Sequence, residues 1–360
     1  PEATFGSVVA VLPVDGAQVW VGDGQAMALR RYDWDGRYLG DVGRVGDGPG
    51  EFKWVNDLSR MPDGRIAFWD YGNARMSVFA PDAAFDTSVV LDLGGVIAYA
   101  PDVFRVDTAG SVYVWNRGAP LDLNRPRGEE TPLAWIVFDA DGSFRDTVRV
   151  PRRDYEGPVV GGQSYGLGTM PSFGVRTFAA LSPHGYQVSA RADRYALHRP
   201  LRDGRVVRIE RSWTPVPVEG GERDQFEAMV HHVVGLWGDA YGFSTDVPDT
   251  KPPFWALWVD DDARIWVARH VPARHRPETD AERAERERLA EIRGSMPPPM
   301  EWWEPVTLDV FEPNGRFLGT VVLPSAQSRP MAASGRTLWT VERGDFDEEY
   351  VVRWRIEGGG

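Results

Sequence analysis

Residues Asp63–Asp70 read DGRIAFWD: a turn, an Arg, four apolar positions and a closing Asp. The phrase returns as DGAQVWVGD at Asp15–Asp23, AGSVYVWN at Ala109–Asn116 and HGYQVSA at His184–Ala190. It returns again as DARIWVAR at Asp262–Arg269 and SGRTLWTVE at Ser334–Glu342. Gly16, Gly64, Gly110, Gly185 and Gly335 hold the last turn position, where a positive φ is wanted and only glycine adopts it freely. Ala263 stands there in the fifth copy, which predicts a turn that differs in detail.

A second phrase alternates with the first: a strand ending in an aromatic residue, then another turn. It reads RRYDWDG, MSVFAPDA, WIVFDADG, YALHRPLRDG, LDVFEPNG and VVRWRIEG, its marked positions being Tyr32, Phe79, Phe138, His198, Phe311 and Trp354. Each unit therefore carries four short antiparallel strands, which for the first unit fall near Ser7–Pro13, Gln18–Gly22, Ala28–Tyr32 and Arg37–Val42. Such a unit repeated at a period of roughly 45 residues is the mark of a β-propeller. In the second strands Val19/Val21, Ile66/Phe68, Val112/Val114 and Ile265/Val267 point to one face, and Trp20, Tyr113, Trp266 and Trp339 to the other. Both faces are apolar, so both are covered, as in a blade held between two neighbours. The expected fold is all-β: one six-bladed propeller domain over 1–360 with two helical insertions on its rim.

Spacing locates the insertions at roughly 117–132, 151–174, 214–253 and 270–304. The third is expected to hold a helix near Glu222–Leu236, and the fourth a charged helix near Thr279–Arg293 followed by MPPPMEWW. The last unit stops after Trp354 and Ile356 in EGGG without a fourth strand. Either a short pairing by Pro1–Phe5 closes the ring, or the missing strand lies outside the sequence.

Composition narrows the chemistry. The 360 residues carry a net charge of −13, 15 Trp and no Cys. The charge disfavours nucleic acid and anionic lipid as partners. The lack of cysteine excludes disulfides, thiolate metal sites and thiol catalysis. No apolar run approaches the ~20 residues of a spanning helix. Of the 40 Lys and Arg, only Lys53 and Lys251 are lysines, and the arginines are scattered rather than clustered. The start at Pro1 instead of Met fits a cleaved secretory signal or an N-terminus that is not included.

At GRVGDGPGEF (Gly43–Phe52) and DGRIAFWDYGNARMSVF (Asp63–Phe79), with Asn73, Arg75 and Phe79 in an N-x-R-x-x-x-F tail, the chain resembles the NHL-repeat-like six-bladed propellers. Many of these are bacterial exported proteins. The specific resemblance covers about a quarter of the chain and the fold-level resemblance nearly all of it. It implies an extracytoplasmic propeller that hosts binding, scaffolding or one of several enzyme chemistries. Gly46, Gly48 and Gly50 are read as a blade-to-blade crossover rather than a phosphate cradle, since no Lys-Ser/Thr follows and no helix opens there.

Catalytic groups are sparse. His184 occupies a turn, His198 replaces a packed strand aromatic, and His231 and His232 point about 100° apart on a helix. His270 and His275 flank an Arg/Pro-rich loop and are expected to be solvated. Lyase relatives of this fold use channel histidines around zinc, but no innermost strand here carries one. Lactonase-like relatives hold a hard cation with inner-strand oxygens, for which Asn56, Asp57, Asp102 and Asp260 are the candidates; turn capping explains Asn56 and Asp102 equally well. No cofactor or metal site is expected, nor any catalytic residue.

A binding role has more specific support. The helix ETDAERAERERLAEIR (Glu278–Arg293) has a thin apolar stripe, Ala281, Ala284, Leu289 and Ile292. It is either a solvated arm or a docking arm. Exposed Trp, Met and Arg anchor interfaces, so the candidate partner-binding residues are Trp302, Trp303, Met300, Arg288 and Trp237. Phe226, Met229, Val230, Val233, Val234 and Trp237 form a second apolar face, read mainly as a lid on the propeller. The sequence thus points to a non-catalytic module that binds other protein subunits. Its expected setting is periplasmic, as an extrinsic part of a membrane-associated complex, a respiratory or photosynthetic one included. The alternative is a lactonase- or lyase-type enzyme, or a sugar or peptide receptor, that uses the central channel.

Overall fold

A computed structural model describes residues 4–92, 104–116, 134–149, 173–201, 203–237, 247–344 and 348–358, apart from the side chains of Tyr71, Asn116, Val233, Val234, Trp237 and Arg293. It is a six-bladed β-propeller. Blade 1 comprises Val8–Val14, Gln18–Asp23, Ala28–Asp33 and Tyr38–Asp41, and blade 2 Asp57–Arg60, Ile66–Asp70, Arg75–Phe79 and Phe85–Val90. Blade 3 comprises Phe104–Val106, Val112–Asn116, Ala134–Phe138 and Phe144–Arg149, and blade 4 Thr177–Leu181, Gln187–Arg191, Ala196–Pro200 and Val206–Glu210. Blade 5 is built from Phe254–Val259, Ile265–Arg269, Thr307–Phe311 and Phe317–Val322. Blade 6 has three strands, Arg329–Ser334, Thr337–Arg343 and Glu349–Arg355. Two helices, α1 (Gly220–Trp237) and α2 (Asp280–Arg293), lie in the third and fourth insertions.

The second-strand aromatics fill the wedges between blades. Trp20 packs against Ile66 and Phe68 of blade 2, and Trp69 against Val112 and Val114 of blade 3. Tyr113 meets Leu181 of blade 4, and Val188 of blade 4 packs with Ile265 and Val267 of blade 5. Trp266 meets Leu338 of blade 6, and Trp339 closes the circuit on Val19 and Val21 of blade 1. Removing any of these buried indoles leaves a cavity worth about 3–5 kcal/mol.

Blade 6 is closed sparingly. Phe5 N–H donates to Glu349 O at 2.9 Å and Glu349 N–H to Phe5 O at 2.8 Å. The Glu349 carboxylate accepts Val8 N–H at 2.5 Å, while Arg329 donates to Val8 O at 2.7 Å and to that same carboxylate at 3.2 Å. Among the described residues, this bridge, the Glu349 carboxylate and Arg329 tie the third strand of blade 6 to the start of blade 1.

Two turns repay attention. Ala263 adopts φ 62, in the same left-handed region as Gly64 at 86 and Gly185 at 72. The fifth turn is thus the same turn as the others, against expectation: it accepts the Cβ strain because the methyl is buried in the wedge between blades 4 and 5. In the glycine-rich crossover, Arg75 donates to the carbonyls of Asp47, Gly48 and Glu51 at 3.1, 2.8 and 2.7 Å, and Asn73 to that of Gly46 at 3.0 Å. Carbonyls converging on a guanidinium are the reverse of a phosphate cradle.

Antiparallel order sorts the connections. The first-to-second turns of all six blades and the third-to-fourth turns of blades 1 to 5 fall at one end of the ring and are short, as between Val259 and Ile265 or Phe311 and Phe317. Second-to-third and blade-to-blade connections fall at the other end. The four long ones start after Asn116, Arg149, Glu210 and Arg269, so all arise on one face of the ring, over blades 3 to 5.

Candidate functional site

The insertion face is organised around Lys251. Its ammonium lies 2.6 Å from Glu222 Oε1, 3.1 Å from Glu304 Oε1 and 3.0 Å from Val271 O. An ammonium has three donors, and all three are met. Glu304 also accepts Val271 N–H at 2.8 Å and approaches His270 Nδ1 at 2.8 Å. The Phe173 ring covers both Lys251 and His270. The four charged or titratable side chains come from α1, from the approach to blade 5, and from both ends of its insertion.

The expectation that His270 is solvated fails: it is buried, and its Nε2 has no partner among the described residues. The carboxylate of Glu304 and the ring of Phe173, remote in sequence, enclose it. His275 is half exposed, with Trp302 beside its ring. Burial pushes Glu222 up from the usual carboxylate range despite Lys251. Burial acts on Glu304 in the same direction, but His270 and Lys251 outweigh it and hold that carboxyl below its ordinary value. The cluster clamps α1 and the blade 5 insertion to the propeller.

A second clamp is Gln225 of α1. Its Oε1 accepts Glu301 N–H at 2.6 Å and Trp302 N–H at 2.8 Å, and its Nε2 donates to Trp302 O at 3.1 Å. Gly221 permits this contact, since a Cβ there would stand 2.4 Å from Trp302 Nε1. Phe226 and Val230 bury the inner face of α1 against Phe173 and Val218 of the insertions; the side chains of Val233, Val234 and Trp237, also assigned to the lid, lie outside the described residues.

α2 is fastened as well. Thr279 and Glu282 form a capping box, and Gly294 ends the helix at φ 72. Arg276 grips Glu282 bidentately, and Arg286 grips Glu278 at 2.7 and 3.0 Å while donating to Pro297 O at 3.0 Å. Ser295 reaches His232 at 3.4 Å.

Of the residues singled out from sequence, Trp302 is half-buried against α1 and Trp303 lies beneath Arg276, its indole N–H donating to Met300 O at 2.8 Å. Met300 is half-buried. Arg288 is paired with Glu285 at 2.6 Å and remains largely exposed. The side chain of Trp237 lies outside the described residues. Between α2's end and the polyproline stretch, Ile292 is 66% and Met296 44% exposed. Residue type singled out Ile292 only as part of a thin stripe, and Lys251 and Gln225 not at all. The rarity of lysine was the one available signal for Lys251.

A cavity of about 450 Å³ opens on the same face, lined by Tyr195, Glu210, Arg211 and Trp213 among others. Behind it the buried Asp309 accepts from Tyr195 OH at 2.8 Å and Thr320 Oγ1 at 2.6 Å and pairs with Arg211 at 2.6 Å, joining blades 4 and 5. Burial, then the Asp309 carboxylate, pushes the Tyr195 phenol up.

Of the cation candidates, the described Asp57 and Asp260 lie at opposite faces of the ring. Asp57 accepts Phe104 N–H at 3.0 Å and Leu58 N–H at 2.8 Å, tying blade 2 to blade 3. Asp260 lies at the opposite face, in a turn, held by Arg264 and Trp266 Nε1. Asp102 lies outside the described residues. Among the described residues no cluster of three or more His, Asp or Glu is placed to hold a metal ion, and no helix is long and apolar enough to cross a membrane.

No family model matches the chain, and no curated protein is similar to it. Solved propellers are similar at low identity. A member of the DUF4221 family from Bacteroides vulgatus is 9% identical with a TM-score of 0.47, covering 97% of this chain and 92% of that one. Virginiamycin B lyase of Staphylococcus aureus is 12% identical, TM-score 0.39, covering 100% and 86%. Hydrazine synthase of Kuenenia stuttgartiensis is 12% identical, TM-score 0.40, covering 93% and 74%. No activity follows from likeness at this distance.

Proposed function

We propose that this chain is a non-catalytic protein-binding module of the NHL-repeat-like propeller class. In this reading it works on the extracytoplasmic side of a bacterial envelope, as an extrinsic subunit of a membrane-associated complex, a respiratory or photosynthetic one included. One observation carries the reading. The arm formed by α2 and residues 294–303 is tied to α1 through Gln225 and rooted at Glu304 in the buried charge cluster, yet its outer end leaves Ile292 and Met296 exposed. A preorganised surface loses little entropy on binding, and Arg, Met and large aliphatic side chains on such a surface suit a protein partner. The partner's matching surface is apolar. Half-buried Met300 and Trp303 form its inner margin.

The test is gentle purification from the native membrane of the wild type and of the Ile292→Glu/Met296→Glu variant. The wild type is expected to bring a protein partner with it, and the variant to lose that partner while melting at the same temperature. Isolation of the wild type alone with a bound divalent ion overturns the reading in favour of channel chemistry.

A further inference from the structure

The cavity on the insertion face is separate from the central channel. It lies between the second-to-third turn of blade 4, at Asp193, Arg194 and Tyr195, and the segment leaving that blade's outer strand, from Glu210 to Trp213. None of the residues lining it belongs to an innermost strand. At about 450 Å³ it has the size of a small-molecule site.

Its charges are unevenly matched. The buried Asp309 carboxylate at its back stands between two guanidiniums, Arg211 at 2.6 Å and Arg269 at 3.7 Å. The carboxylates of the rim already have partners: Asp193 pairs with Arg191 at 3.4 Å, and Glu210 pairs with Arg208. Arg194 lines the same cavity, is exposed, and makes no ion pair among the described residues. Cations therefore exceed carboxylates here, in a chain whose net charge is −13. A donor is left over as well. The indole Nε1 of Trp213 is buried and has no hydrogen-bond partner among the described residues, a state that costs free energy until an acceptor arrives. Arg211 is held from two sides, by Asp309 and by the Phe317 ring 4.1 Å away, so little side-chain freedom remains for it to lose on binding.

We propose that this cavity binds a small organic carboxylate. Arg194 and Arg211 carry planar donor forks that match a carboxylate, and Trp213 Nε1 supplies a further donor. The aromatic side chains of Tyr195 and Trp213, which line the cavity, suit an apolar remainder of the ligand. A monoanion fits this site better than phosphate does. Asp193 and Glu210 stand at the rim, and their repulsion grows with each negative charge the ligand adds. An uncharged ligand would leave the cationic surplus unanswered.

Proton–nitrogen correlation spectra of the tryptophan indoles test this, recorded with benzoate from ~0.1 to ~30 mM, the range in which a ligand of few atoms binds. The Trp213 cross-peak, identified by its loss in Trp213→Phe, is expected to move with benzoate and to saturate. It is expected to stay in place with benzamide, which has the shape without the charge, and with inorganic phosphate. Arg194→Gln is expected to weaken benzoate about tenfold with an unchanged melting temperature, and Arg194→Lys to recover only part of that loss. A Trp213 cross-peak that benzoate does not move overturns the proposal. So does an equal response to benzamide or phosphate, or equal affinity in Arg194→Gln. None of these outcomes bears on the surface at Ile292 and Met296.

Discussion

The ammonium of Lys251, fully buried, sits 2.6 Å from the carboxylate of Glu222, 29 residues earlier and at the start of α1. With Glu304 on its other side it is the shared counter-ion of two carboxylates that have little access to water. Removing one member of a buried ion cluster typically costs about 3–5 kcal/mol, because the others remain charged and desolvated. Lys251→Met is expected to destabilise by that order, and Lys251→Met/Glu222→Gln by less than the sum of the single changes. Lys251→Arg is expected to fail as well, since a planar fork cannot address three acceptors around one point. Urea unfolding of the four variants measures this.

Asp57 makes stability fall with rising pH over a defined window. Burial pushes its carboxyl up to about 6, against the N–H groups of Phe104 and Leu58 and against Arg105. The unfolded carboxyl titrates near 3.8, so between the two values the folded chain holds a proton that the unfolded chain has lost. The stability tied to that proton is complete below ~4 and disappears as pH rises to ~6. Denaturant titrations across this range are expected to show the decline in the wild type and a flatter profile in Asp57→Asn.

Two wedge tryptophans that look equivalent are expected to respond differently to Phe. Trp266 Nε1 donates to Asp260 Oδ2 at 2.8 Å, whereas Trp20 Nε1 has no hydrogen-bond partner among the described residues. Trp266→Phe therefore strips a buried carboxylate of a donor, a loss of about 1–3 kcal/mol on top of the volume change that both variants share. Thermal melts of the two single variants should differ in that direction.

Gly64 and Gly185 occupy the same turn position, at φ 86 and φ 72. A Cβ on Gly64 meets nothing within 4 Å, whereas one on Gly185 stands 2.5 Å from Asp107 Oδ2 and 2.9 Å from Tyr113 OH. Gly64→Ala carries only the backbone strain of about 1 kcal/mol, while Gly185→Ala must also displace the Asp107–Tyr113 bond of blade 3, against which Gly185 of blade 4 packs. The second variant is expected to be the less stable by melting temperature.

The propeller was readable from DGRIAFWD and its echoes because its determinants are local. A positive-φ turn, a period of two and an aromatic every few residues are written in neighbouring positions, and repetition multiplies the signal. Wedge positions such as Trp20, Trp69 and Trp266 followed from that pattern. The turn at Ala263 did not, since only the wedge between blades 4 and 5 shows why a methyl is worth its strain there. His270 was misjudged for the same reason: its Arg/Pro-rich neighbours suggest solvent, and Phe173 and Glu304 remove it.

The order of the chain alone therefore settled the number of blades and the strand alternation. Only the folded molecule brought Glu222, Lys251, His270 and Glu304 together, made Trp302 a seat for α1 and left Ile292 and Met296 exposed among the described residues. Local patterns survive in one dimension because each residue's conformation depends mainly on its neighbours. Buried charge and exposed apolar side chains depend on which distant segments meet, and that is decided by the closing of the ring.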